Sequence, residues 1–477
     1  MAGGENSRFS YIQLDERRLS IIVFSLFFAW LLAFPFEGQV LYALADRVQI
    51  DPHAMIFGAI ASHVVGLFGC GFLIKTRQAA KRLMRFSMVF CIVGTGVFFF
   101  HPSVLWNIVL IASSLLASGC VAAWGFFLRS GTPPNQRIKT VADGLIFSNI
   151  LMILLNMTAV HLSPYAGLGL SMFLIGGAML FAARLPAAVP AVLPDRPKQP
   201  ISIVKPLVFL CLFITVITIN SGLMYQVINP AFAHLEWLTS WYWAIPYIVA
   251  LYIMKNLPRK TNRTYILYVA IAMIGFSFIG FMILDHSAGS YLVVNTLMLG
   301  ACGVYDLFWW SILGEMLDFD QNPAKVLGVG LSANVLGVLI GGLIGSAIVA
   351  SDLPNYNSSV LALAVVCVTL TILPLLHRHL SALLTDHAYL TVVSEMSPAE
   401  QTSMVDRIVL AGRLTERENE IAALLVKGKT YRMIAGELHL SENTVKTHIK
   451  NIYSKCGIQS RTELINLMLE PESTGHK

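Results

Sequence analysis

Charged side chains are scarce in this chain. They make up 13% of its 477 residues, about half of the roughly 25% that is usual in soluble domains. Hydrophobic residues reach 56%. This composition excludes a water-soluble fold for most of the length and indicates a membrane protein.

Motifs that carry chemistry are also sparse. The seven cysteines have neither the paired spacing of a metal site nor that of a disulfide framework. The sequence shows no nucleophile and base arrangement, no phosphate-binding loop and no phospho-acceptor receiver pattern. We therefore expect no enzyme activity, no catalytic residues, no metal site and no cofactor.

Long hydrophobic runs dominate what is present. A helix needs about 20 apolar residues to cross a bilayer, and twelve runs approach or exceed that length. They lie at residues 19–44, 54–74, 84–100, 103–128, 138–160, 164–184, 206–228, 239–257, 264–284, 289–313, 326–350 and 358–377. The sequence therefore predicts an all-α membrane domain that sits in a lipid bilayer.

The runs fall into two sets of six, separated by a proline-rich bridge. The predicted boundaries are a tail at 1–18, a first half at 19–184, a linker at 185–205, a second half at 206–377, a further linker at 378–413, a C-terminal module at 414–469 and a tail at 470–477.

Positive charge is distributed unequally between the two sides. The loops on one predicted side hold nearly all of the lysines and arginines between the runs, and those on the other side hold only Arg47. Because loops rich in these residues face the cytoplasm, we expect a cell-membrane protein with both termini in the cytoplasm.

Six spans, a bridge and six more spans resemble the layout of the major facilitator superfamily. In that family the loop after the second span usually carries an acidic residue, where this chain has Lys75. The resemblance implies a membrane domain that binds a ligand and changes conformation, and Lys75 favours sensing over transport. A transporter with an attached regulatory module remains the alternative.

Polar residues inside the spans are the candidates for ligand contacts, because they are costly in lipid. The residues predicted to line a cavity are Glu37, Gln39, Asn220, Tyr225, Gln226 and Asp306. Glu37 and Asp306 carry the strongest signal, since a carboxylate in apolar surroundings needs a proton, a cation or a ligand. For the amides, hydrogen bonding between helices is the competing interpretation.

The C-terminal module has the local chemistry of four short helices. The sequence Thr-Glu-Arg-Glu at 415–418 is a capping box that starts the first, Thr430 can cap the second, and Ser441 can cap the third. A second capping box at 460–463 starts the fourth. Two helices joined by the short break at 439–441 predict a helix-turn-helix.

The third helix of the module has two different faces. Val445, Ile449, Ile452 and Cys456 recur at helical spacing and form a buried edge. The opposite face is polar and cationic and carries Asn443, Lys446, Thr447, Lys450 and Ser454. Such a face suits the major groove of double-stranded DNA.

These residues resemble the LuxR-type helix-turn-helix. The resemblance rests on Leu-Thr-Glu-Arg-Glu at 414–418, Lys-Gly at 427–428, Ile-Ala at 434–435 and Ser-Glu-Asn-Thr-Val-Lys-Thr-His-Ile-Lys-Asn-Ile-Tyr-Ser-Lys at 441–455. It implies sequence-specific DNA binding by a homodimer, with base contacts from Lys446, Thr447 and Lys450 and backbone contacts from Thr444 and Asn451. Tyr431, Met433 and Cys456 depart from the usual pattern.

The sequence thus predicts a membrane-embedded one-component transcriptional regulator. A small molecule of unknown identity acts on the membrane domain, and the linker at 378–413 passes the change to the DNA-binding module. A purely structural tether for DNA is the third possibility, in which no ligand alters transcription.

Overall fold

The computed structural model describes residues 15–36, 38–187, 203–257, 263–351, 358–376, 414–426 and 431–458. The chain divides into two compact units, Met1–Leu376 and His377–Lys477. The first is called the membrane unit below and the second the C-terminal unit.

Helices make up the regular structure of the membrane unit in the described ranges. Helices α1 to α7 are Glu16–Ala33, Gln39–Arg47, His53–Leu73, Arg77–Gly96, Val104–Gly131, Arg137–Met157 and Pro164–Arg184. Helices α8 to α15 are Val204–Leu223, Asn229–Ala231, Glu236–Tyr242, Ile245–Lys255, Arg263–Ile283, Ala288–Met316, Pro323–Ala350 and Ser358–Leu376. No strand occurs in these ranges, and the predicted all-α fold is confirmed.

Ten helices of the described part are long and apolar enough to cross a membrane, so the chain is a multi-pass membrane protein. The predicted runs at 19–44 and 239–257 are not among the ten. The sequence predicts one continuous helix for each, and that prediction is wrong, because each run is divided between two shorter helices.

Proline and glycine explain both breaks. Helix α1 ends at Ala33, two residues before Pro35, which has no N–H to continue the helix. The chain then turns so tightly that a Cβ on Gly38 would lie 2.0 Å from the carbonyl oxygen of Ala33. In the second run, Pro246 stands in the first turn of α11, where proline is tolerated.

The two halves of the membrane unit meet closely along α3 and α14. A Cβ on Gly328 of α14 would lie 2.4 Å from the carbonyl oxygen of Leu67 on α3. Small residues permit such backbone contact between membrane helices. Glycine at this position therefore sets the distance between the halves.

The C-terminal unit has helices α16, Glu416–Val426, α17, Tyr431–Glu437, and α18, Glu442–Cys456. Their apolar faces form one core, and the residues predicted to point inward on these helices belong to it. Those that are buried are Ile421, Leu425, Ile434, Ala435, Val445, Ile449 and Ile452, and those that pack against them are Leu424, Leu438 and Cys456.

The predicted helix boundaries in this unit are confirmed where they are described. The backbone N–H of Thr415 donates to Glu418 at 2.8 Å, and that of Glu418 donates to the Thr415 hydroxyl at 3.3 Å, which is the reciprocal capping box. Ser441 caps α18 by accepting from the Thr444 N–H at 3.0 Å. His439 has the left-handed φ of 53° that ends α17.

Other predicted features lie outside the described residues. These are the cap at Thr430, the helix end at Gly428, the fourth helix that begins near 460, and the linker at 378–413.

Candidate ligand cavity and nucleic-acid interface

A cavity of about 200 Å³ lies inside the membrane unit. Its walls come from α1, α3, α5 and α6 of the first half and from α8, α11, α13 and α14 of the second. The polar and aromatic side chains that line it are Phe28, Phe36, His63, Asn149, Ser221, Tyr225, Trp243, Tyr247, Cys302, Tyr305, Asp306, Trp310 and Asn334. A molecule in this cavity would touch both halves at once.

Helix α13 contributes the carboxylate. Leu299, Cys302, Asp306 and Trp310 all line the cavity, and their spacing of three, four and four residues places them on one face of the helix. The Tyr247 hydroxyl donates to Asp306 Oδ2 at 2.9 Å. Asp306 is the one acidic residue among the described residues that line the cavity, and these include no lysine or arginine.

The first half contributes His63 and Asn149 to the opposite wall. His63 Nδ1 lies 2.8 Å from the carbonyl oxygen of Ser114, and because a carbonyl only accepts, this nitrogen carries the proton. The Asn149 side-chain N–H donates to the Leu145 carbonyl at 2.8 Å. Phe36 stands edge-on to His63, with ring centroids 4.8 Å apart.

Two of the six predicted cavity residues, Tyr225 and Asp306, line the cavity. Three others, Gln39, Asn220 and Gln226, are not among the residues that line this cavity. Gln226 accepts from the Ser346 hydroxyl at 3.2 Å, and Asn220 and Gln39 have buried side-chain atoms. Hydrogen bonding between helices, the competing interpretation, therefore fits Gln226, whereas the buried side-chain amide of Asn220 and the side-chain oxygen of Gln39 have no hydrogen-bond partner in the described part of the chain. The sixth, Glu37, lies outside the described residues.

Sequence reasoning missed Tyr247, Tyr305 and Ser221 as cavity residues. The stripe on α13 was a usable signal for Tyr305, because this residue lies one turn after Cys302 and directly before Asp306. Tyr247 had no such signal, since it belongs to a different helix from the carboxylate it contacts.

Ion pairs join the two halves at the end of the membrane unit where α5 ends and α6 and α14 begin. Arg137 on α6 makes a bidentate pair with Asp318, with N–O distances of 2.7 and 2.8 Å, although its side chain is only 3% exposed. Lys255 on α11 pairs with Asp143 on α6 at 2.7 Å. These contacts join the two halves at this end of the membrane unit.

The predicted DNA-facing residues share the outer surface of α18. Asn443, Thr444, Lys446, Thr447, Lys450 and Asn451 are all exposed. Lys446 Nζ lies 3.1 Å from a carboxylate oxygen of Glu442 one turn earlier. The Thr447 hydroxyl donates to the Asn443 carbonyl at 3.0 Å. The polar side chains of α18 are therefore exposed together on one helix.

Glu418 fixes α18 to α16. Its carboxylate accepts from Lys455 Nζ at 2.6 Å and from the Thr415 hydroxyl at 3.0 Å. Burial tends to raise the pKa of Glu418, but the hydrogen bonds from Lys455 and Thr415 outweigh it, and the pKa is lowered from its ordinary value. The pair thus stays ionised near neutral pH and orients the exposed face.

Comparison with known proteins identifies the C-terminal module. Residues 412–468 match the family of bacterial regulatory proteins of the luxR type. The response regulator protein VraR of Staphylococcus saprophyticus is 45% identical over 62 residues, which are 13% of this chain and 30% of that protein. VraR of Staphylococcus aureus matches with the same identity and coverage. The match thus spans less than a third of these curated relatives.

The membrane unit is similar to solved transporters. The human organic anion transporter MFSD10 (TETRAN) superposes with a TM-score of 0.58 at 13% identity, over 76% of this chain and 100% of that chain. A bacterial homologue of the iron transporter ferroportin gives 0.56 at 15% identity, over 76% and 98%. The likeness establishes the fold and confirms the predicted major-facilitator-like architecture.

Residues 412–468 are therefore a regulatory domain of the bacterial luxR family, carried by a chain whose membrane unit has a transporter fold.

Proposed function

We propose that this protein is a membrane-embedded one-component transcriptional regulator. A small molecule binds in the cavity of the membrane unit and controls sequence-specific DNA binding by the C-terminal domain. The carrying observation is that a luxR-family domain with an exposed polar surface on α18 shares one chain with a membrane unit whose cavity contains a carboxylate.

Charge supports the placement of the domain in the cytoplasm. The end of the membrane unit that carries the ion pairs of Arg137 and Lys255 is also where most lysines and arginines of the loops lie. Of the lysines and arginines, only Arg47 lies in the loops predicted for the opposite side. By the positive-inside rule we infer that the first end faces the cytoplasm, which is where the DNA is.

The shape of the cavity supports a ligand-driven change. A ligand shifts an equilibrium only to the extent that it binds one conformation better than the other. Because both halves line the cavity, any movement of one half against the other changes the contacts of a bound molecule. A shift from 1:99 to 99:1 requires about 5.5 kcal/mol of differential binding.

On DNA we propose a homodimer, as the luxR-type fold implies. Dimers of helix-turn-helix domains bind two half-sites whose symmetry matches that of the protein. The face of α18, which also carries Asn443, would enter the major groove, with Lys446, Thr447 and Lys450 toward base edges and Thr444 and Asn451 toward the DNA backbone.

The test begins with the full chain in lipid nanodiscs. DNA selected from a random pool should converge on one sequence with two half-sites, and a reporter behind that sequence should respond to a small molecule in cells. Failure to enrich any sequence would contradict the DNA-binding part of the proposal. A reporter that no compound changes would instead favour a structural tether.

Transport is measured in parallel. Vesicles that contain the purified chain should not accumulate the compound that alters the reporter. Accumulation that disappears in the Asp306→Asn variant would contradict sensing alone and favour the transporter interpretation.

A further inference from the structure

We propose that the cavity of the membrane unit takes a small organic cation, an amine or quaternary ammonium group carried on an aromatic or other apolar body. This inference rests on the proposed function and names the chemical class of the molecule that the membrane unit binds.

The charge inside the cavity is the first argument. Asp306 is the one acidic residue among the described lining residues, and these include no lysine or arginine. Two basic side chains of the membrane unit already have carboxylate partners, Arg137 with Asp318 and Lys255 with Asp143. Because a carboxylate in an apolar interior is stable only when its charge is compensated, a ligand with a positive charge fits this wall.

The hydrogen bond from Tyr247 reinforces the argument. Its hydroxyl donates to Asp306 Oδ2 at 2.9 Å. This contact fixes the orientation of the carboxyl group, and it brings no positive charge to the site because a phenol is a neutral donor. The site is therefore prepared for a cation and lacks a protein cation of its own among the described residues.

The opposite wall offers acceptors. His63 uses its Nδ1 proton on the Ser114 carbonyl, so Nε2 of the neutral ring can only accept. Asn149 uses an N–H on the Leu145 carbonyl, and its side-chain oxygen can only accept. These two acceptor atoms suit a positively charged group, which either donates a hydrogen bond to them, as a primary ammonium does, or approaches them with its charge alone, as a quaternary ammonium does.

Aromatic rings provide the remaining contacts. Tyr225 and Trp243 line the cavity with ring centroids 6.0 Å apart, and Trp310 lies one helical turn after Asp306 on the same face of α13. The face of an indole or phenol ring attracts a cation within about 6 Å. Carboxylate and rings together make a site for a charged head with an apolar body.

The volume limits the size of the ligand. A buried apolar cavity of about 150 Å³ accommodates benzene, so a cavity of about 200 Å³ accommodates one ring with a short side chain. An anion of that size would meet Asp306, and the described residues of the lining include no basic side chain to offset the repulsion. The inferred ligand is thus opposite in charge to an organic anion, although one structural neighbour is named as an organic anion transporter.

The experiment compares isosteres on the purified full chain in detergent. Thermal unfolding is followed by tryptophan fluorescence at pH 7.5 with 2-phenylethylammonium, benzyltrimethylammonium, 2-phenylethanol and phenylacetate. We expect the two cations to raise the midpoint in a concentration-dependent manner and the alcohol and the anion to leave it unchanged. The quaternary compound keeps its charge at every pH, so its effect reports the cation itself.

Matched variants locate the effect. Asp306→Asn should lower the affinity for both cations at least tenfold. Asp285→Asn, which alters an exposed loop carboxylate, should leave the affinity unchanged. Tyr247→Phe keeps the charge and should preserve the selectivity for cations. If Asp306→Asn fails to give a monodisperse protein, the selectivity of the native chain among the isosteres decides the question.

Several outcomes would overturn the inference. Equal effects of all four compounds, effects of the alcohol or phenylacetate alone, or no effect of any compound would each do so, as would cation binding unchanged by Asp306→Asn. Binding is measured without DNA, so it can fail while a different molecule still controls the reporter. Conversely, cation binding without any change in DNA binding would contradict the proposed function and leave this inference standing.

Discussion

Lys455, at the end of the helix that carries the proposed DNA-reading surface, donates to Glu418 in the first turn of α16 with an N–O distance of 2.6 Å. The Glu418 side chain is 4% exposed, whereas that of Lys455 is 40% exposed. The same carboxylate closes the capping box with Thr415. One side chain therefore starts the first helix of the domain and orients its third.

The first prediction concerns the stability of this domain. Glu418→Ala should lower the free energy of unfolding of a fragment of residues 397–477 by at least about 1 kcal/mol, the usual cost of losing a helix cap. Thermal unfolding by circular dichroism measures it. Glu420→Ala is the control, because its pair with Arg417 is exposed and such pairs contribute at most about 1 kcal/mol. Equal losses in the two variants would contradict the prediction.

The second prediction is the pH dependence of the same fragment. The pKa of Glu418 is lowered in the folded domain because the hydrogen bonds from Lys455 and Thr415 outweigh burial. A lowered pKa stabilises the fold above the ordinary value, near 4.5, and this stability is lost as the pH falls through the folded value. The temperature of the unfolding midpoint should therefore decrease once the pH falls below about 4.5. In Glu418→Gln, the midpoint temperature should depend less on pH in this range. An identical acid transition in Glu418→Gln would contradict the assignment.

The third prediction concerns DNA binding by α18. Lys446→Ala combined with Lys450→Ala should reduce affinity for the selected site at least tenfold. Each contact with a phosphate contributes about 0.9 to the slope of log affinity against log salt, so loss of two such contacts lowers the slope by about 2. If these lysines contact bases instead, their loss should relax the preference for the selected sequence. Lys75→Ala with Lys139→Ala removes the same charge from the membrane unit and serves as the control. Unchanged DNA footprints with the α18 variant would contradict the proposal that this surface contacts DNA.

Periodicity and capping predicted more of the fold than of the cavity. The buried edge of Val445, Ile449 and Ile452 follows from helical spacing within one segment, and its prediction is confirmed. The prediction of one continuous helix over 19–44 was wrong because hydropathy contains no information on the tight approach of Gly38 to Ala33. Cavity residues depend on which helices become neighbours. Asp306 and Tyr247 lie 59 residues apart in sequence, and no local pattern joins them.

The fourth prediction concerns helix packing in the membrane unit. A Cβ on Gly341 of α14 would lie 2.0 Å from the carbonyl oxygen of Ile219 on α8. Gly341→Ala must push these backbones apart and should cost about 1–3 kcal/mol, as overpacking does. Gly176→Ala is the control, because a Cβ at this position meets nothing within 4 Å. This substitution should be neutral or slightly stabilising. Thermal unfolding in detergent distinguishes them, and similar midpoints would contradict the close packing of α8 and α14.

The fifth prediction concerns the ion pairs between the halves. Asp318→Ala leaves Arg137 buried without its bidentate partner, and an uncompensated buried charge is strongly unfavourable. The end of the membrane unit that carries this pair should then open more often. Cys302 lines the cavity, so in a variant with the other cysteines replaced by serine, its reaction with a membrane-impermeant maleimide in inside-out vesicles should become faster. Asp320→Ala is the control, since Asp320 pairs with the more exposed Lys325 and should change the rate less. If Asp318→Ala left the rate unchanged, or accelerated labelling only in right-side-out vesicles, then this pair would not hold the cytoplasmic end closed.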